Sequence, residues 1–198
     1  MLRIDPALRR FPDEPDAGLQ AWDSADALML AHAGGLGLAG RRVLRDWSGP
    51  LDDTLPAQRP VTLRHLLTLT CGDGAIMAPD GSFPIQAARA AAGVAPGAAR
   101  PTLTPDEWLR RLGSLPLLAQ PGERWLYHTP FDILAVLLAR VGGQPLPDLL
   151  RARLLAPLGM KDTSFDVPPE KLSRVARRYR AEGDGRLVPE TASPPEEV

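Results

Sequence analysis

Apolar residues recur along this chain mostly at helical spacing. Leu63, Leu66, Leu67 and Thr70 follow an i, i+3, i+4, i+7 pattern behind Thr62, which can cap a helix, and Cys71-Gly72 closes the segment. In TPDEWLRRLG, Thr104 caps, Pro105 suits the first helical position, Glu107 completes a capping box and Gly113 ends the run. A further helix is predicted with Thr129 as cap and Pro130 first; its stripe is Leu134, Leu137, Leu138 and Val141, ahead of Gly142-Gly143. PLPDLLRARLLAPLG aligns Leu146, Leu149, Leu150 and Leu154, and PPEKLSRVARRYR aligns Leu172, Val175, Ala176 and Tyr179. One more helix is predicted over residues 16–33, stopped by Gly34-Gly35.

Strand signals are thin, with RWLY and SFDV the best candidates. The chain therefore reads as mostly helical. Segment 73–103, rich in Ala, Gly and Pro, reads as a long loop, which in a compact domain is functional or disordered. These boundaries divide the chain into a flexible N-terminal segment (1–15), a helical domain (16–180) and a C-terminal tail (181–198).

Charge narrows the function classes. Lys+Arg number 23 against Asp+Glu 24, so no basic surplus points to nucleic acid. No stretch of about 18 uninterrupted apolar residues suggests a membrane span. The opening MLRIDPALRRFPDEPD is charged and proline-broken, without an apolar signal core, so the chain as written is expected in the cytoplasm. One cysteine, Cys71, excludes an intrachain disulfide and reads as a small loop residue. His32, His65 and His128 match no zinc spacing, and no glycine-rich phosphate loop occurs, so neither metal nor cofactor is expected.

Catalytic candidates are few. None of the seven serines has glycine two residues away on both sides, which excludes a nucleophile elbow. Tyr127, in PGERWLYHTP, reads locally as a packing tyrosine. It also lies just ahead of a predicted helix N-terminus, where backbone N–H groups favour negative charge.

Two longer runs change that picture. RPVTLRHLLTLTCG, and the run from LPLLAQPGERWLYHTP through PLGMKDTSF, resemble serine hydrolases related to class C β-lactamases, with LDDTLPAQRP and MAPDGSFPIQ closest to the esterase-like branch. The resemblance covers roughly residues 43–180. It implies an α+β fold of the β-lactamase/transpeptidase type, of which this chain supplies mostly the helical lobe with few short strands. It implies acyl transfer through the serine of a Ser-x-x-Lys motif, on a small ester or lactam. Tyr127 matches the tyrosine of the family's Tyr-x-Asn motif, a general-base counterpart, and Thr129 stands where the asparagine usually stands.

The rest of that machinery has no match. The chain's two lysines, Lys161 and Lys171, follow Leu158 and Pro168 by three residues, so neither completes Ser-x-x-Lys. Counting back by family spacing leads to Ala17 and Gln20. A tyrosine with pKa about 10 needs a nearby cation to act as a base near neutrality. The expectation is an incomplete, inactive serine hydrolase that self-associates through an exposed apolar face; the alternative is a non-catalytic binding or scaffold relative.

Overall fold

The computed structural model describes residues 40–97 and 102–189. The predicted helix at 16–33, and with it Ala17 and Gln20, lies outside them. Strands β1 (Arg42–Leu44) and β2 (Thr54–Pro56) pair antiparallel, Val43 facing Leu55. Helices α1 (Leu63–Leu67), α2 (Pro84–Ala92), α3 (Pro105–Ser114), α4 (Thr129–Gly142) and α5 (Leu146–Leu150) follow. A wider π-type turn (Arg151–Leu155), a tighter 3-10 stretch (Pro169–Arg174) and the hairpin β3 (Tyr179–Ala181) with β4 (Leu187–Pro189) complete the order. The described chain is thus helix-rich with a few short strands, as the sequence pattern predicts.

The caps explain several starts and stops. Thr62 Oγ1 accepts from the His65 N–H, and His65 Nδ1 accepts from the Thr62 N–H, a reciprocal box that fixes the short α1. Thr104 Oγ1 accepts from the Glu107 N–H at the head of α3. The Glu107 carboxylate does not return to the cap; Arg110 and Arg111 hold it instead at 2.6–2.7 Å. At the far end of α4, Gly143 takes φ +62°, the left-handed stop that favours glycine.

Other sequence expectations also fail, for physical reasons. Segment 73–103 is not all loop: the nine residues of α2 form in it, with Pro84 at the start and Gly93 as a left-handed cap. On α4 the buried stripe is Thr129, Pro130, Ile133 and Leu137, because α4 lies against α1, leaving Leu138 and Val141 exposed. The helix expected over PPEKLSRVARRYR shrinks to the 3-10 stretch and then extends into β3, since Leu172 and Val175 find no core to face. RWLY and SFDV do not become strands.

The core has two parts. Val61, Leu66, Cys71, Trp108, Leu109, Leu112, Ile133 and Leu137 join α1, α3 and α4. Leu44, Ile85, Leu118 and Leu126 form a second cluster that joins β1, α2 and the segment before α4. Beyond Leu137 no described residue is buried, and Leu154, Leu158, Phe165, Val175 and Leu187 are all exposed.

Candidate active site

Tyr127 sits on an extended segment that ends at α4. Its neighbours fix its backbone from both sides. The Leu126 N–H donates to Leu69 O at 2.8 Å, and Tyr127 O accepts from the Ala75 N–H at 2.7 Å. The close approach requires glycine at position 74: a Cβ there would lie 2.6 Å from Leu126 Cβ and 2.7 Å from Tyr127 O. Leu126 goes into the core and Tyr127, the next residue, turns outward, 52% exposed. Trp125 stacks on its ring at a centroid distance of 5.9 Å.

The residue after Tyr127 carries strain. His128 has φ +84° and ψ −83°, unusual for a side chain with a Cβ. It, and not Thr129, is the N-cap of α4, and its side chain accepts no hydrogen bond from the backbone N–H groups of the first turn. Its ring is clamped at both nitrogens: Nδ1 lies 2.9 Å from Asp132 Oδ2 and Nε2 lies 3.1 Å from Gly97 O. Partial burial raises the Asp132 carboxyl above the ordinary aspartate value, against the pull of His128. Thr129 is buried, 2% exposed, as the first residue of α4. Tyr127 and Thr129 are therefore close along the chain, yet only the tyrosine faces solvent.

A buried ionic pair supports the other side of the site. Arg89 of α2 and Asp73 are both almost fully buried and joined through Nη2 and Oδ1. Asp73 Oδ1 also accepts from the Gly74 N–H at 2.8 Å, and Arg89 Nη1 donates to Gly74 O at 2.8 Å. Gly74 is thus held by both members of the pair. Arg41 is buried nearby and donates to Leu115 O at 2.8 Å; desolvation lowers its pKa, opposed by the attraction of Asp73. Burial, followed by the repulsion of Asp73, pushes the Cys71 thiol up to about 12, so it stays protonated and unreactive at neutral pH.

Sequence reading did not find Asp73, Arg89 or the His128–Asp132 clamp. The pair spans 16 residues, a separation that no local periodicity reports. The one available signal was the tight Cys-Gly-Asp-Gly run, whose glycines permit backbone contact. Among the described residues no group of three or more His, Cys, Asp or Glu is arranged to hold a metal ion.

Comparison with known proteins gives the family. The β-lactamase family model matches residues 27–198. The chain belongs to the β-lactamase family. An uncharacterized protein of Mycobacterium tuberculosis is 37% identical over 153 residues, covering 77% of this chain and 36% of its own length. Esterase EstB of Burkholderia gladioli is 35% identical over 135 residues, covering 63% of this chain and 33% of its own length. Among solved structures, EstCE1, a hydrolase with promiscuous acyltransferase activity, superposes with a TM-score of 0.58 at 25% identity, over 86% of this chain and 44% of that one. Simvastatin synthase from Aspergillus terreus gives a TM-score of 0.58 at 25% identity, over 89% of this chain and 42% of that one. The chain spans about a third of the length of these curated relatives. Its fold is that of the β-lactamase/transpeptidase type, seen here through its helical part.

Proposed function

We propose that Tyr127 is the proton-handling group of an acyl-transfer site for a small ester, and that this chain alone does not turn that ester over. The observation that carries the reading is the placement of Tyr127. Its carbonyl is pinned by Ala75 and the preceding Leu126 N–H by Leu69, its ring is half exposed, and α4 begins two residues later. Membership of a family that includes an esterase supports the choice of ester. Thr129, 2% exposed at the start of α4, is not offered to substrate on this reading.

The inactivity follows from what a tyrosine base needs. It needs a hydroxyl to deprotonate, and a cation to favour its phenolate. No Ser-x-x-Lys occurs in the 198 residues. Arginine does not replace the lysine, because it stays protonated and relays no proton. Hydrolysis of p-nitrophenyl butyrate is expected to match the buffer rate, with or without Tyr127→Phe. Turnover well above buffer that Tyr127→Phe abolishes overturns the reading.

The apolar residues exposed beyond Leu137 add a second expectation. Contiguous apolar surface drives association. The isolated chain is expected to bind a hydrophobic dye and to elute at a mass that rises with concentration. A monomer at all concentrations, with no dye signal and a sharp melt, counts against it.

A further inference from the structure

His128 joins two parts of the fold through its ring, and the proton chemistry proposed for Tyr127 does not use it. Nδ1 lies 2.9 Å from Asp132 Oδ2 on α4, and Nε2 lies 3.1 Å from Gly97 O on the segment that follows α2. Both partners are acceptors: a carboxylate and a peptide carbonyl. A neutral imidazole carries one N–H, so it donates to only one of them. The two bonds coexist only when both ring nitrogens carry hydrogen, in the imidazolium form.

The neutral ring has to release one partner, and the geometry says which. The carboxylate is the stronger acceptor, because an ionised partner roughly doubles a hydrogen bond. Its bond is also the sheltered one, whereas the bond to Gly97 is exposed. The remaining proton therefore stays on Nδ1, and Nε2 turns a lone pair toward the Gly97 oxygen. Little else holds that segment. Val94 is buried in the core and anchors its start. Beyond it, among the described residues, 95–97 make no other hydrogen bond, and a Cβ on Gly97 would meet nothing within 4 Å. The His128 backbone is itself held out of its preferred regions, at φ +84°. Such a conformation persists where the surroundings over-determine it, and a ring bound at both nitrogens does so.

Among the described residues, the titratable groups facing the ring are Asp132 from α4 and the Tyr127 phenol, whose ring stands at right angles with centroids 6.2 Å apart. The positive end of α4 opposes the second proton, and the Asp132 carboxylate offsets it. Asp73 and Arg89, which hold the nearby Gly74, neutralise each other.

We propose that His128 is a proton-operated latch: as imidazolium it straps segment 95–97 to the start of α4, and as neutral imidazole it keeps Asp132 and lets the strap go. Ala95 and Pro96 also line the cleft over α2, so the latch sets one wall of it. The device stands whether or not Tyr127 handles a proton.

The test uses the 198-residue chain, isotope-labelled in its histidines and glycines. NMR spectra are compared at about pH 5.5 and about pH 8.5, on either side of the ordinary histidine value of about 6.5. Both His128 ring nitrogens are expected to be protonated at the lower pH, and only Nδ1 at the higher. With loss of the Nε2 proton the Gly97 carbonyl signal shifts, and the backbone order parameter at Gly97 falls from about 0.85 to below about 0.6. Two variants push the latch to opposite ends. His128→Gly accepts the backbone conformation but has no ring, so Gly97 is loose at both pH values. Asp132→Asn offers an amide N–H to Nδ1, which returns the single proton of the neutral ring to Nε2, so Gly97 stays held at both. A packing role for the ring predicts no such split. Where a variant fails to fold, the wild-type titration decides by itself. Loss of the Nδ1 proton first, a Gly97 order parameter indifferent to pH, or a folded Asp132→Asn chain that frees Gly97 at the higher pH overturns the proposal.

Discussion

Asp73→Ala is expected to destabilise the chain by about 3–5 kcal/mol, read as a fall in the urea midpoint. The substitution strands Arg89, which is 2% exposed, as an uncompensated buried cation. It also removes the acceptor of the Gly74 N–H and the charge that attracts buried Arg41. Three buried groups therefore lose a partner at once. The pair itself need not stabilise the fold relative to apolar residues, because two desolvated charges repay their burial only in part. The double variant Asp73→Leu/Arg89→Met is thus expected to lose less than Asp73→Ala alone. A double-mutant cycle checks this. If Asp73→Ala shifts the midpoint by less than about 1 kcal/mol, the pair is not the support described.

Gly74→Ala is expected to cost about 3 kcal/mol, at the upper end for an overpacked site. The added Cβ meets Leu126 Cβ at 2.6 Å and two backbone atoms, Leu126 C and Tyr127 O, at 2.7 Å each. A flexible side chain could swing away from such a contact. Here the obstacles include main chain held by the Ala75–Tyr127 and Leu126–Leu69 hydrogen bonds, so relief requires breaking one of them. The expected signature joins two readouts: a lowered urea midpoint and altered fluorescence of Trp125, which stacks on Tyr127. An unchanged midpoint with unchanged fluorescence would mean that the segment yields freely, and Tyr127 would not be rigidly placed.

These two positions show where sequence reading runs out. Local chemistry was legible. Thr62 and Thr104 cap as their hydroxyls suggest, and Gly143 stops α4 as a residue free to adopt positive φ should. The start of α4 was misread by one residue, because His128 caps through an unusual backbone conformation and not through a side-chain oxygen. Helix α2 was hidden because Phe83 ahead of it offers no capping oxygen and its alanines give a weak apolar stripe. Conversely, PPEKLSRVARRYR has a good stripe, but amphipathic pattern makes a helix only where something covers the apolar face.

The site divides the same way. Tyr127 became a candidate only through the long ordered match around it, since a lone tyrosine before a helix has a bland explanation. The support beneath it comes from Gly74 and Ala75, which approach Leu126 and Tyr127 across more than 50 positions of sequence, and from Asp73 and Arg89, which hold Gly74. Only three-dimensional packing brings those groups together. It also shows what the motif comparison left open, that Thr129 is covered while Tyr127 is not.

Intact mass spectrometry after incubation with a fluorophosphonate probe tests the central claim most directly. On the proposed reading Tyr127 handles the proton, and no Ser-x-x-Lys serine occurs in the 198 residues. The expected spectrum is that of the unmodified chain. One phosphonyl group per chain on a serine, lost in Tyr127→Phe, contradicts the claim.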